Sequence, residues 1–228
     1  MLVTLFEDHS ILAVDKPSGL PSHSLNASQT SCESILAEDR PGEKFYLAHR
    51  LDTGTSGVLI FAKNEQTFND LREQFKLKKV KKHYLAWVEK TLSRETLLAT
   101  FLLPHTLDWP LAHHAKNKKK MIPIVPGKKR GFRGKPIPAT TIIHGVTEDS
   151  FARIPCLLFQ IEILTGVMHQ IRVHLATLGF PLIGDLVYER VERDEQPRMG
   201  LHAQSIGFNL SGYQYEIESV FESPIVFD

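Results

Sequence analysis

The stretch Ala48-His49-Arg50-Leu51-Asp52-Thr53-Gly54-Thr55-Ser56-Gly57-Val58-Leu59-Ile60-Phe61-Ala62-Lys63 decides how this chain reads. Its second half is a run of aliphatic, β-branched and aromatic residues, the composition of a buried strand. Its first half is a Gly/Thr/Ser-rich turn that feeds the strand. Reacting groups are disproportionately carried by loops set on rigid strands. This loop holds one carboxylate, Asp52, with the cation Arg50 close by in sequence. Gly54 and Gly57 permit a tight turn or a close backbone approach. Two readings of Asp52 stand at this point: an Asx turn accepting from Gly54 or Thr55, and a reacting carboxylate.

Working outward, Leu2 to Phe6 and Ile11 to Val14 read as short strands joined by a turn at residues 7–10. Residues 15–23, with two prolines and Gly19, form a rigid loop. A polar stretch follows, with a short helix near Ser31 to Ala37. After the central strand, Phe68, Leu71 and Phe75 recur at helical spacing within Glu65 to Leu77, with Asn64 as N-cap. Lys82 to Val88 alternates as a strand, placing Tyr84, Ala86 and Val88 on one face. Leu97 to Leu103 is expected to be another strand. Residues 104–138 are rich in Pro and Gly and read as a long basic loop, a projecting arm with a short strand at Met121 to Val125. Strands are expected at Thr140 to Val146 and Leu157 to Leu164. His169 to Leu178 reads as a helix with an Ile171, Leu175, Leu178 stripe, Gly179 closing it and His169 and Arg172 projecting near its start. Leu182 to Asp185 is a turn, 189–195 is charged and exposed, and His202 to Leu210 and Tyr215 to Val220 close the chain as strands. Strands outnumber helices, and most connections are too short for parallel crossovers. The fold class is therefore α+β, a mixed, mostly antiparallel sheet flanked by helices and loops, in a single domain over 1–228.

The 228 residues carry 27 Lys and Arg against 26 Asp and Glu, a net charge of +1 that hides an uneven distribution. Nine basic residues and no acidic one lie between Lys116 and Lys135, and five more between Lys76 and Lys82. The remainder is an acidic body. Concentrated basic segments are the electrostatic footprint of a polyanion partner; solvated lysine-rich loops are the alternative. No apolar run reaches the roughly 18 residues of a membrane span, and the N-terminus lacks the pattern of a signal peptide. Cys32 and Cys156 are far apart and without metal-ligand spacing, which argues against a disulfide framework or metal site. A cytoplasmic protein is the expectation.

Several segments, in order, resemble the RluA family of RNA pseudouridine synthases. His49-Arg50-Leu51-Asp52-x-x-Thr55-Ser56-Gly57 is similar to its signature, Lys16-Pro17-x-Gly19 with His23 to its first motif, and Lys82-x-Tyr84-x-Ala86-x-Val88 to the strand bearing its active-site tyrosine. His169-Gln170-Ile171-Arg172-x-His174, then Gly179, Pro181, Gly184-Asp185 and Tyr188, resembles its last motif, and Leu201-His202-Ala203 also fits. Val167 departs from the family's usual Arg. No S4-type RNA-binding domain is expected before the catalytic domain, so the basic arm, with Lys118, Lys119, Lys128, Lys129 and Arg130, is expected to take over part of RNA binding.

The resemblance implies an isomerase that converts uridines of ribosomal or transfer RNA to pseudouridine without cofactor or metal, acting as a monomer on a stem-loop. Cleaving a glycosidic bond calls for a carboxylate beside the sugar, as nucleophile or base, and Asp52 fills that role. A carboxylate closed off from water needs an apposed cation, and the family pattern supplies Arg172. The target base must leave its stack; Arg50 is placed to fill the vacated space and Tyr84 to stack on the flipped uracil and assist proton removal. Thr55, His169 and Gln170 complete the substrate site, with His49, His169 and Gln170 also readable as hydrogen-bonding supports. A non-catalytic RNA chaperone on the same fold is the main rival; it has no need of Asp52, Tyr84 and Arg172 together. A glycosidase would want a second acid, and Asp185 reads only as a turn residue.

Overall fold

The computed structural model describes residues 1–24, 26, 29–90, 102–127, 130–189, 191 and 197–221. They fall into two compact units, Met1–Tyr84 with Leu201–Glu222, and Leu85–Gly200. The division falls within a strand, between Tyr84 and Leu85, where no linker composition marks it.

In the first unit, β1 (Val3–Glu7) pairs with β2 (Ile11–Lys16), β2 with β4 (Ser56–Ala62) and β4 with β12 (Leu201–Leu210). β3 (Tyr46–Leu47) also pairs with β4, and β13 (Tyr213–Glu218) with β12. The strand expected around Val58 is buried along its whole length, as a run without a polar face must be. Every one of these pairings is antiparallel except β4 with β12, whose parallel register sets His202 opposite Ser56 and Ala203 opposite Gly57. Residues two apart on β2, β4 and β12 (Ile11 and Ala13; Val58, Ile60 and Ala62; Ile206 and Phe208) share one core with Leu71, the period-2 signature of one sheet face.

Leu71 belongs to α2 (Glu65–Lys76), where the Asn64 side chain accepts the Thr67 N–H as expected of an N-cap. Phe68 and Phe75 pack against the same core. Truncating a buried leucine of this kind to alanine costs about 2–5 kcal/mol. The shorter α1 (Cys32–Asp39) begins with a capping box in which Ser34 plays the part usually taken by Glu or Gln.

β5 (Lys81–Glu89) carries the chain into the second unit, whose larger sheet runs β5-β11-β10-β6, with β6 (His105–Leu107), β10 (Thr141–Phe151) and β11 (Ile154–Ile163). β10 and β11 turn through Ala152 and Arg153, both with positive φ, the twist a two-residue hairpin requires. The region 104–138 is not a loop with one strand. Besides β6 it forms a second sheet, β8-β7-β9, from β7 (Leu111–His114), β8 (Met121–Pro123) and β9 (Phe132–Ile137). Strands of three to six residues are too short to register as periodic. Their nucleus is Leu111, Ala112, Met121 and Ile122, all buried, while the lysines gather in the turn after β7.

α3 (Gln170–Thr177) also differs from the single-stripe helix expected. Gln170 to Leu175 are buried without interruption, so Arg172 and His174 face inward with the apolar residues. Leu178 ends the helix and Gly179, at φ +90°, continues in the left-handed conformation that favours glycine. Most of the strand expected at Leu97 to Leu103 lies outside the described residues, as do residue 190 and residues 192–195 of the expected charged segment. Among the described residues, no helix is long and apolar enough to cross a membrane. The architecture is α+β with a largely antiparallel sheet.

Candidate active site

In the first unit the loop before β4 is closed by main chain: the Thr55 N–H donates to the Asp52 carbonyl at 3.0 Å. Asp52 is partly buried, Thr55 fully buried, and Arg50 exposed.

The residues that hold this loop come from the motif at 16–22. Lys16 is completely buried, and its ammonium donates to the carbonyls of Pro17 (2.9 Å), Leu20 (2.6 Å) and Thr53 (3.1 Å). The Gly19 N–H also donates to Thr53 O (2.8 Å), and the Ser18 hydroxyl to Gly54 O (2.7 Å). Ser22 closes a reciprocal pair, donating to Leu51 O and accepting from Leu51 N–H. A buried ammonium normally carries a large desolvation penalty; burial pushes Lys16 down to about 8, against the opposing pull of Cys32, Asp52 and Asp15. In the sequence Lys16 stands out only as part of a motif. Its position at the end of the strand that the apolar Ile11 to Val14 run begins was the available signal.

His49 lies beneath the loop. Its Nε2 accepts the Ile60 N–H at 3.2 Å, which puts its own proton on Nδ1. Its ring stacks at 5.2 Å on Phe75. Burial, with the Lys82 charge adding to it, pushes His49 down to about 3, so it is a neutral support. At the start of β4, Ser56 contacts Nδ1 of His202 at 3.0 Å, and Nε2 of His202 contacts the Ser219 carbonyl at 3.2 Å. A carbonyl only accepts, so the His202 proton sits on Nε2 and the Ser56 hydroxyl donates to Nδ1. Tyr84, on β5, is buried; burial first and the Asp52 charge second push its phenol well above the ordinary value. At neutral pH it is a neutral phenol, a ring with a hydroxyl donor.

In the second unit Arg172 is held by a buried partner that the sequence alone presents as a turn residue. Its Nε donates to Oδ2 of Asp185 and its Nη2 to Oδ1, both at 2.7 Å. Asp185 Oδ1 also accepts the main-chain N–H groups of Val187 (3.0 Å) and Tyr188 (3.3 Å). Such a two-point pair fixes the guanidinium plane as well as its charge. The Asp185-x-x-Tyr188 spacing, an Asx turn after Gly184, was the legible trace of it.

The other two residues of the same motif are supports in this unit. Gln170 fills all four of its hydrogen-bonding positions internally: Nε2 donates to Thr140 O and Thr141 Oγ1, while Oε1 accepts from Thr165 Oγ1 and Val167 N–H. His169 takes the strained left-handed conformation (φ +57°) before α3 and contacts the Tyr188 hydroxyl at 3.0 Å. His174, missed at the sequence level as a structural residue, is fully buried between Thr141 Oγ1 and the Trp109 carbonyl. Val167, the departure from the family pattern, packs beside Leu111, Met121, Ala139 and Val173. Of the basic arm, Lys118, Lys119 and Arg130 are exposed, while Lys128 and Lys129 lie outside the described residues.

A buried strand fed by a carboxylate-bearing turn, on this sheet order, defines a class of known proteins. The family model for RNA pseudouridylate synthase matches residues 10–177. The chain belongs to that family, and within it to the RluA group, enzymes that isomerise uridine to pseudouridine in RNA. It is 33% identical over 215 residues to the dual-specificity RNA pseudouridine synthase RluA of Salmonella typhi, covering 93% of this chain and 89% of that one. Identity is also 33% to the ribosomal large subunit pseudouridine synthase D of Nitrosomonas europaea, over 89% of this chain but 56% of that longer protein. Among solved structures, human RNA pseudouridylate synthase domain containing 1 matches with a TM-score of 0.80 and 25% identity, over 97% of this chain and 84% of that one.

Proposed function

We propose that Asp52 is the reacting carboxylate of this pseudouridine synthase and that its substrate is a stem-loop of ribosomal or transfer RNA. The single observation that carries the reading is the Asp52 turn. Its backbone is tied down by Lys16, Gly19, Ser18 and Ser22, and its carboxylate is close enough to the buried Tyr84 phenol to act on it electrostatically.

In the reaction the bond from ribose C1′ to uracil N1 breaks, a bond from C1′ to C5 forms, the C5 proton leaves and N1 gains one. Asp52 acts as nucleophile or base on the ribose side of this exchange. Tyr84 offers a face on which an extruded uracil stacks. While Asp52 is charged, Tyr84 stays a phenol. Burial first and the Asp52 charge second keep the proton on Tyr84. Bond formation by Asp52 removes that charge and makes the phenol proton easier to lose, so Tyr84 passes its proton to N1 and then, as phenolate, takes the C5 proton. Exposed Arg50 fills the space a flipped base leaves. Within the second unit Arg172, the cation that family resemblance assigns to the carboxylate, is oriented by Asp185, and His169 and Gln170 hold the backbone at the start of α3. Within the first unit Thr55 holds the Asp52 turn.

The relatives' names support the choice of RNA: one is named for dual-specificity RNA modification, another for the ribosomal large subunit. The exposed lysines of the turn after β7, with Arg130, provide backbone contacts, and the enzyme acts as a cytoplasmic monomer. The test is pseudouridine mapping on unmodified total RNA incubated with wild-type protein and with Asp52→Asn. New sites with wild type alone, at similar RNA affinity for both proteins, are expected. Turnover by the Asn variant removes Asp52 from the mechanism. Tight binding by both with no new site favours an RNA chaperone.

A further inference from the structure

The last motif contains a residue that the reaction scheme leaves idle. Tyr188 lies three residues after Asp185 and is half-buried against the Leu111, Met121, Ala139 and Val173 cluster. Two cations lie on its ring: the Arg172 guanidinium carbon at 5.3 Å from the centroid and the Lys120 ammonium at 5.2 Å. Both distances are within cation–π range. Lys120 ends the basic turn after β7, the segment that carries Lys116, Lys118 and Lys119. Its ammonium also reaches the Val187 carbonyl at 3.5 Å.

The hydroxyl is as constrained as the ring. It accepts the Met121 N–H at 2.8 Å and approaches the Met121 carbonyl at 3.2 Å and His169 Nδ1 at 3.0 Å. One hydroxyl proton and two lone pairs satisfy all three contacts in a single arrangement: it donates to Met121 O and accepts from Met121 N–H and from His169 Nδ1–H. Tyr188 therefore pins the main chain of β8, directly after Lys120, to His169 at the start of α3. Through its ring and its own N–H, which donates to Asp185, it also pins the Arg172–Asp185 pair.

We propose that Tyr188 is a positioning residue that couples the basic turn after β7 to the Arg172 guanidinium, so that an RNA backbone drawing on Lys120 resets the Arg172–Asp185 pair for reaction. This rests on Arg172 serving the reaction. The physical basis is that Lys120 and Arg172 both draw on the π electrons of one ring. A phosphate that attracts Lys120 leaves the ring to Arg172 alone. Binding of RNA at the arm thereby changes the free energy of the buried ion pair without any direct contact to it.

The test uses the full chain, unmodified total RNA, and single-turnover pseudouridine formation with enzyme in excess, alongside RNA affinity. Tyr188→Phe keeps the ring and loses the hydroxyl. It is expected to slow the single-turnover step about tenfold while affinity changes less than about twofold. Lys120→Met leaves the ring to Arg172 before RNA binds, so it is expected to speed that step about fivefold in the wild-type background and to have no effect in Tyr188→Leu, the non-additivity expected of residues acting through one contact. Melting temperatures of all variants exclude unfolding as the cause. Should Tyr188→Leu melt early, Lys120→Met in the wild-type and Tyr188→Phe backgrounds gives the same comparison with the ring retained, and equal rate gains are then expected. The proposal is overturned if rate and affinity fall together in Tyr188→Phe, or if Lys120→Met has the same effect with and without the ring. Arg172→Ala, measured in parallel, separates the two readings. A wild-type rate there sinks the role of Arg172, whereas a slow Arg172→Ala with additive Lys120 and Tyr188 effects sinks only the coupling.

Discussion

Gly57→Ala is expected to be the most destabilising small substitution in the first unit. Gly57 has φ +107°, and a Cβ built there lies 2.2 Å from the Ala203 carbonyl oxygen and 2.8 Å from its carbon and nitrogen. All three are main-chain atoms of the paired strand, so no side chain can swing away. Ordinary contact begins near 3.4 Å, so β4 and β12 have to part by about 1 Å, at the point where their parallel pairing is made. The left-handed backbone alone costs about 1–2 kcal/mol for a residue with a Cβ. Adding the clash brings the expected loss to about 3–5 kcal/mol. For a chain of this size that is a fall of roughly 6–20 °C in melting temperature. Gly42 is the matched control: its φ is +90° and nothing lies within 4 Å of its Cβ position. Gly42→Ala is expected to lose only the backbone part, about 1–2 kcal/mol. Thermal or urea melts of both variants decide the matter. If the two fall together within about 1 kcal/mol, the close strand approach is not what fixes glycine at 57.

Three further outcomes follow from the site. Tyr84→Phe keeps the stacking face but loses the proton-accepting oxygen, so RNA affinity is expected to hold while single-turnover product formation slows by about 10²-fold or more; a wild-type rate leaves the hydroxyl without a chemical role. Neutralising Lys118, Lys119, Lys128, Lys129 and Arg130 together is expected to weaken RNA binding and flatten its dependence on salt, by close to one unit of slope for each phosphate no longer neutralised; an unchanged slope removes the arm from the interface. His49 has a folded value of about 3 against an ordinary value of 6.5, so the unfolded chain takes up this proton first as pH falls. Its contribution is present in full above pH 6.5 and is lost progressively toward pH 3. Between about pH 7.5 and 4.5 the wild type is expected to lose about 2 kcal/mol more than His49→Leu in urea titrations, and parallel curves for the two proteins contradict the assignment.

The strands and helices with long apolar patterns were legible because burial wrote them into the sequence: Val58 to Ala62 has no polar residue, and α2 begins at an Asn cap. The small β8-β7-β9 sheet was hidden because its strands are short and its lysine-rich turn dominated the composition. α3 was misread as one-sided because Gln170, Arg172 and His174 are polar residues satisfied by internal partners distant in sequence, such as Thr141 and Asp185. A one-dimensional pattern cannot distinguish a satisfied buried side chain from a solvated one. In the site, motif resemblance named Asp52, Tyr84 and Arg172. It could not supply Lys16 as the clamp of the loop, since three carbonyl acceptors leave no trace in side-chain type.

The parallel pairing of β4 with β12 has a consequence for how the enzyme is made. Ser56 reaches its partner His202 across 146 residues of sequence. A ribosome adding about 5–20 residues per second therefore leaves the Asp52 loop without its neighbouring strand for roughly 7–30 s after Ser56 has been synthesised. Contacts of such long separation form late. A nascent chain released before β12 is complete carries every residue of the signature turn but not the strand that seats it. The Asp52 loop thus gains its neighbouring strand only once residues 201–210 have been made, and nascent chains that stop short of them are expected to be inactive on RNA.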